Sequence, residues 1–269
     1  MGGLQLYIPH FGGFDMGTDH GGVRIVAGMP MYNEEETIGT VVTMALRYVD
    51  KVICIDDGSS DSSARIAEAC GATVIRHRAN QGYGAALKTL FRTTRESDAD
   101  ILVVLDADGQ HETSDMPKLI QPILDEEADF TIGSRFVEGG EGNEMPAYRR
   151  LGIKVITAAS NLTSDLDIKD TQSGFRAFSK KAIDRLRFDS DGMELSLEML
   201  EDAKEKQLTI QEVPTIIRYD VPKGSNFTAL SHGFTVLTWA LLSLSQKKPL
   251  LTLGIPGLGL LATGAAMGM

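Results

Sequence analysis

Ile101-Leu102-Val103-Val104-Leu105-Asp106-Ala107-Asp108-Gly109-Gln110-His111 is an apolar run that ends in two carboxylates one residue apart. A short unbroken aliphatic run of this kind marks a strand covered on both faces, as in a parallel sheet. Side chains at i and i+2 project to the same side of an extended chain, so Asp106 and Asp108 point together. Open α/β sheets hold their ligands beyond the ends of their strands. A carboxylate pair in that place can hold a divalent ion against a diphosphate. Gln110 adds a neutral oxygen for the same ion, and His111 reads as a neighbour rather than a ligand.

Two earlier apolar runs close in the same manner. Met29-Pro30-Met31-Tyr32-Asn33-Glu34-Glu35 ends the first, and Ile55-Asp56-Asp57-Gly58-Ser59-Ser60-Asp61 ends the second. Between these points the periodicity alternates. Residues 23–27, 51–55, 72–76, 100–105 and 128–132 read as strands. Residues 34–49, 61–69, 83–97 and 114–126 read as helices. In the first of these helices Ile38, Val41, Val42, Ala45, Leu46 and Val49 share a face, and Asn33 with Glu36 forms a capping pair at its start. Such alternation predicts an α/β fold with a parallel sheet covered on both faces. Beyond residue 133 the rhythm breaks. A Gly- and Glu-rich loop at 138–144 precedes helices at 148–162 and 193–206 and a late strand at 209–217.

The chain has 269 residues, 42% of them hydrophobic, and a formal net charge of −11. That length fits one good-sized domain with an appendage. The acidic balance argues against a nucleic-acid partner, which selects a basic footprint. Cys54 and Cys70 lack metal-ligand spacing and read as buried thiols in a reducing compartment. Residues 1–22 are Gly-rich and form an extension expected to be flexible. Residues 249–269 carry no charge. Twenty helical residues span about 30 Å, the thickness of a bilayer core, and glycines are tolerated there. A transmembrane segment is therefore expected at 249–269, with a buried hydrophobic tail as the alternative. Lys247 and Lys248 put the preceding domain on the cytoplasmic side of the cell membrane. Residues 227–248 read as an amphipathic helix at the membrane surface, or else as a core helix.

Three further elements carry chemistry. Gly133-Ser134-Arg135 ends a strand with a guanidinium suited to phosphate, and Arg149 and Arg150 follow; a structural ion pair is the bland alternative for Arg135. Asn80-Gln81-Gly82-Tyr83-Gly84 partly imitates a dinucleotide fingerprint but does not follow the first strand. Its glycines let a helix start close to a nucleotide, or serve plain packing. Asp170-Thr171-Gln172-Ser173-Gly174-Phe175-Arg176 is a polar loop, leading into a possible short strand, whose carboxylate either faces the site or stabilises the loop.

Taken in order, YNEE, DDGSSD, LDADGQH, GSRF and the Asp170–Arg176 loop resemble the family 2 glycosyltransferases of the GT-A fold. That is a Rossmann-like nucleotide-diphospho-sugar transferase domain, here over 23–226. Within the family, the chain is similar to the polyprenyl-phosphate sugar transferases, such as dolichyl-phosphate mannose or glucose synthases. The resemblance implies a nucleotide-sugar donor, a polyprenyl or dolichyl phosphate acceptor, membrane lipid as a neighbour, and Mg²⁺ or Mn²⁺. Pro30, Tyr32 and Glu34 would form the first nucleotide-contacting turn. Ile55, Asp56 and Asp57 would form the base-binding turn, with the contacting Asp left open. Asp106, Ala107 and Asp108 would meet the diphosphate and, with Gln110, the metal. Arg135 and Arg149 would meet donor and acceptor phosphates, Asp170 would be the acid of its segment, and Glu194 would lie near the sugar. One departure occurs at 218–225, where Asp220 stands in place of an expected basic residue; either Arg218 or Lys223 takes its role, or this loop binds differently.

These expectations add up to an inverting transferase in which Asp106, Asp108, Asp170 and Arg135 carry the chemistry. Two alternatives stand beside it: a glycan-extending enzyme of the same fold acting on a sugar hydroxyl, and a non-catalytic nucleotide-sugar-binding partner of a membrane complex.

Overall fold

The computed structural model of the chain describes residues 21–140, 150, 152–154, 157, 158, 161, 167–192, 195–218, 263 and 264. Its strands are β1 (Ile25–Met31), β2 (Lys51–Asp56), β3 (Thr73–Arg76), β4 (Ile101–Val104), β5 (Phe130–Ser134), β6 (Arg176–Ser179) and β7 (Ile210–Pro214). They form one sheet in the order β3-β2-β1-β4-β6-β5-β7. The helices are α1 (Ile38–Ala45), α2 (Ser63–Ala69), α3 (Tyr83–Arg95), α4 (Met116–Leu124), α5 (Lys180–Arg185) and α6 (Leu195–Glu205).

Alternation along each central strand divides the core into two layers. Ile25, Ala27, Met29, Ile101 and Val103 face α1 and α4, meeting Ile38, Val42, Leu119 and Ile120. Val26, Leu102 and Val104 face α3, α5 and α6, meeting Leu90, Phe91, Ile183 and Leu200. Helices on both faces account for the apolar run at 101–105, since neither side of β4 meets water.

The sheet departs from the expected all-parallel order. β1, β2, β3 and β4 pair in parallel, but β6 runs antiparallel between β4 and β5. Aromatic packing holds it there. Phe178 stacks on Phe130 at 4.5 Å and meets the edge of Phe91 at 5.0 Å, contacts that favour this register over a β4–β5 pairing. The possible short strand after the 170–175 loop is thus a central strand.

Helix α1 begins at Ile38 rather than at residue 34. Asn33 adopts a positive φ of 56°, and its side chain accepts the Ser60 amide at 2.9 Å instead of capping α1. The expected Asn33–Glu36 capping pair does not form; Thr37 stands at the N-cap without a side-chain cap bond. The described residues between 150 and 161 are helical, as expected of 148–162.

Residues 1–20, the amphipathic segment 227–248 and nearly all of 249–269 lie outside the described residues. No helix among the described residues is long and apolar enough to cross a membrane.

β1 lies between β2 and β4, so strand addition reverses direction there. Such a switch point opens a crevice beyond the carboxyl ends of the strands. The Leu105 amide donates to the Gly28 carbonyl at 3.1 Å, which carries Asp106 to the rim of that crevice.

Candidate active site

Three turns meet at this edge. The first two, after β1 and β2, are laced together by side chains. The Asn33 amide donates to Ser59 Oγ at 2.9 Å and the Glu34 amide to Ser63 Oγ at 2.7 Å. The polar richness of YNEE and DDGSSD is therefore largely mutual bonding, which fixes the turns before any ligand arrives. Tyr32 remains 39% exposed at the end of β1, the one exposed large hydrophobic residue among those described. Pro30, Ile55 and Ala107 are buried, so any contact they give a nucleotide comes from their backbone.

The two aspartates of the second turn have different duties. Asp57 is surrounded: its carboxylate bonds His77 Nδ1 at 2.7 Å and accepts the amides of Gln81 at 3.0 Å and Gly82 at 2.8 Å. His77 Nε2 continues to Thr89 Oγ1 at 2.9 Å. Asp57 thus ties the 80–82 loop to β2. Asp56 receives the Ser59 amide at 2.9 Å.

The Gly82 and Gly84 pair serves packing. A Cβ at either position would lie within 2.8 Å of the Asp191 carbonyl oxygen, and Gly84 donates its amide to that oxygen at 2.8 Å. These glycines allow α3 to start against the 190–191 backbone, and the first residue of α3, Tyr83, then reaches Asp106.

Asp106 sits among groups gathered from four segments. Tyr83 hydrogen-bonds its carboxylate, and the Arg176 and Arg135 charges favour ionisation, yet burial dominates and pushes the carboxyl up to about 6. The same burial, with the Asp106 charge, holds the Tyr83 hydroxyl well above its ordinary value. The Asp106 amide donates to His111 Nδ1 at 3.1 Å, which leaves the ring proton on Nε2, 3.8 Å from Asp106 Oδ2. Burial pushes His111 down to about 4, so it stays neutral at physiological pH. Asp108, half-buried, accepts the Gln110 amide at 2.9 Å. The Gln110 carbonyl in turn accepts the Arg218 amide at 2.8 Å. This bond, with the His111–Ile217 bridge, brings the segment after β7 to the carboxylate pair.

The loop before β6 closes over the pair. A Cβ on Gly174 would lie 2.8 Å from Asp106 Oδ2. Arg176, buried beneath, donates to the Ser173 carbonyl at 2.8 Å and the Thr171 carbonyl at 2.9 Å, fixing that loop. We expect Gly174→Ala to displace the Asp106 carboxylate and to lower kcat/KM about tenfold, with Tm falling by only a few degrees. Steady-state kinetics beside thermal unfolding checks this.

Two expected site residues are placed differently. Arg135 and Asp170 are partners of each other. Arg135 Nε and Nη2 each donate to the carboxylate at 2.7 Å, and the Arg135 amide adds a third bond at 3.1 Å. Their side chains are 7% and 0% exposed. Asp170 is fully enclosed in this pair, and Arg135 takes part in the structural ion pair that is its bland alternative. Arg149, Glu194 and Lys223 lie outside the described residues. Tyr83, Gly174 and Arg176 are the additions the structure makes to the site.

A crevice at the strand-order switch, with a carboxylate pair at its centre, defines a nucleotide-sugar transferase fold. The chain belongs to glycosyl transferase family 2, whose model matches residues 27–187, and it is a glycosyltransferase. It is 33% identical over 245 residues to the UDP-N-acetylglucosamine–dolichyl-phosphate N-acetylglucosaminyltransferase of Methanococcus voltae, covering 82% of this chain and 96% of that one. It is 32% identical over 202 residues to the dolichol-phosphate mannosyltransferase of Pyrococcus furiosus, covering 71% of this chain and 56% of that one. Among solved structures it resembles glucosyl-3-phosphoglycerate synthase of Mycobacterium tuberculosis in complex with Mn²⁺, uridine diphosphate and phosphoglyceric acid. The TM-score is 0.64 at 23% identity, over 84% of this chain and 79% of that one. This shared fold is the expected GT-A architecture, with its mixed sheet.

Proposed function

We propose that the protein moves a hexose from a UDP- or GDP-linked donor to a polyprenyl phosphate, such as dolichyl phosphate, with inversion at the anomeric carbon. The observation that carries this reading is the seat of Asp106 and Asp108 at the end of β4, beside the β1 and β2 turns. The relatives named above, which act on dolichyl phosphate, support the acceptor. The reaction then takes place at the cytoplasmic face of a membrane, held there by residues 227–269.

In this reading Asp56 meets the base, and Asp106 and Asp108 face the diphosphate. The donor set fits a hard cation. Among the described residues no group of three or more His, Cys, Asp or Glu stands together. A pair of carboxylates with the Gln110 oxygen leaves positions for phosphate oxygens, an arrangement suited to Mg²⁺. Mg²⁺ or Mn²⁺ bound there supplies Lewis-acid stabilisation of the leaving nucleoside diphosphate.

An acceptor phosphate oxygen forms the new bond to the anomeric carbon, and the bond to the nucleoside diphosphate breaks with its electron pair. A phosphate monoester has a second pKa of about 6 and arrives largely ionised. No strong base is demanded, which agrees with an Asp170 wholly engaged by Arg135. A sugar hydroxyl would need a base. Arg218, with Arg149 and Lys223, holds the two anions against their repulsion.

The test is to incubate the full chain with polyprenyl phosphate or, in parallel, with glycan acceptors, and a panel of UDP- and GDP-sugars, with and without Mg²⁺ or Mn²⁺, following the glycosylated products by mass spectrometry. Metal-dependent product from one donor is expected. Product only on glycan acceptors would replace the lipid phosphate with a hydroxyl.

A further inference from the structure

The outer face of α3 carries a group of cations that the transfer reaction does not use. Lys88, Arg92 and Arg95 recur at spacings of four and three residues and so share one face of the helix. Leu87, Leu90 and Phe91 face the core instead. With Arg187 and Asp191 the cationic face lines a cavity of about 410 Å³, floored by Phe188. A volume of this size suits a small ligand.

The charges in it are poorly matched. Lys88 pairs with Asp191. Arg95 gives Nε to the Ile183 carbonyl at 2.7 Å and Nη2 to the Leu186 carbonyl at 2.6 Å. Arg187 Nη1 donates to that same Leu186 carbonyl at 2.7 Å and to the Asp184 carbonyl at 2.8 Å. One carbonyl oxygen therefore draws two guanidinium groups together, and carbonyls orient cations without neutralising them. Burial and then the nearby Arg187 charge lower the Arg95 pKa, which Asp184 partly opposes. The exposed Arg92 side chain has no partner among the described residues. This is a cationic basin on a chain of net charge −11.

We propose that this basin is an anion site for a phosphate monoester, distinct from the donor crevice. Guanidinium forks meet phosphate oxygens in pairs, and an anion here would relieve the crowding of Arg95 and Arg187. The cavity runs along the solvent side of α3 from Gln81 and Ala85 to Arg95, whereas Tyr83 turns the other way, to Asp106. The phosphate can come from a soluble ester or from a lipid headgroup.

The experiment uses the full chain in EDTA, which denies the donor crevice its cation. Inorganic phosphate is titrated by calorimetry. Separately, phosphatidylcholine vesicles with and without phosphatidic acid are tested by co-sedimentation. Wild type is expected to bind at least one probe, and added salt to weaken the binding. Arg92→Glu and Arg187→Glu should each weaken it about tenfold or more, while Arg92→Lys, which keeps the charge, stays within about threefold. Binding of inorganic phosphate identifies a soluble ligand; binding only to phosphatidic acid vesicles identifies a headgroup. Nucleoside diphosphate binding with Mn²⁺ should be unchanged in all variants, which shows that they fold. The proposal fails if wild type binds neither probe, or if both charge reversals bind like wild type.

Discussion

Asp108→Ala is expected to lower kcat/KM by about 10³, with a Tm change of only a few degrees. The reasoning starts from what each carboxylate of the pair already does. Asp106 is bonded by Tyr83 and lies near two guanidinium groups, so part of its charge is balanced by the protein, although its side chain is 37% exposed. Asp108 is half-buried on the turn and accepts the Gln110 amide. Asp108 is thus the better-placed anion for a cation on a leaving diphosphate. Losing such Lewis-acid stabilisation costs about 4 kcal/mol in the transition state, equivalent to about 10³ in rate. Losing the bond to the Gln110 amide costs about 1 kcal/mol of stability. Asp106→Asn keeps an acceptor for Tyr83 and should lose about 10²-fold at most. EDTA treatment of wild type should reproduce the Asp108→Ala rate. If Asp108→Ala retains activity within about tenfold of wild type, the pair does not hold the metal.

Much of this crevice is legible in the sequence. Buried strands ending in carboxylates place a site at the sheet edge because side-chain period and burial are local properties, and the 101–111 run shows both. The family motifs added the order of the turns. What escaped depended on contacts distant in sequence. Nothing local distinguishes Asp56 from Asp57; only the arrival of the 77–82 segment shows that Asp57 is spent on His77 and two amides. Tyr83 stands beside two glycines that mimic a nucleotide fingerprint, while their close contact is with residues 190–191. The antiparallel insertion of β6 rests on Phe91, Phe130 and Phe178, which lie far apart in the chain. Arg176 was visible in its motif, but its burial beneath the Gly174 loop was not.

The Arg135–Asp170 pair gives the second large effect, and it separates a positioning role from a catalytic one. Both side chains are nearly excluded from solvent. Removing one partner takes the ion pair from a charge that stays buried, which costs about 3–5 kcal/mol. For a chain of this size that corresponds to a Tm loss of roughly 10 °C. Asp170→Ala and Arg135→Met should both show it. The double variant Arg135→Met/Asp170→Met removes both charges and should recover at least half of the loss, because burying an ion pair returns little over apolar contacts. In activity, the pair anchors one end of the loop that carries Gly174 over Asp106. The folded single variants should therefore lose about tenfold in kcat, far less than Asp108→Ala. A catalytic base would behave in the opposite way: Asp170→Asn would nearly abolish kcat with little change in Tm, and the double variant would restore nothing. Thermal unfolding and kcat measured well below Tm on the same four proteins decide between them. A thousandfold kcat loss at unchanged Tm would return Asp170 to the chemistry and would favour a hydroxyl acceptor over a lipid phosphate.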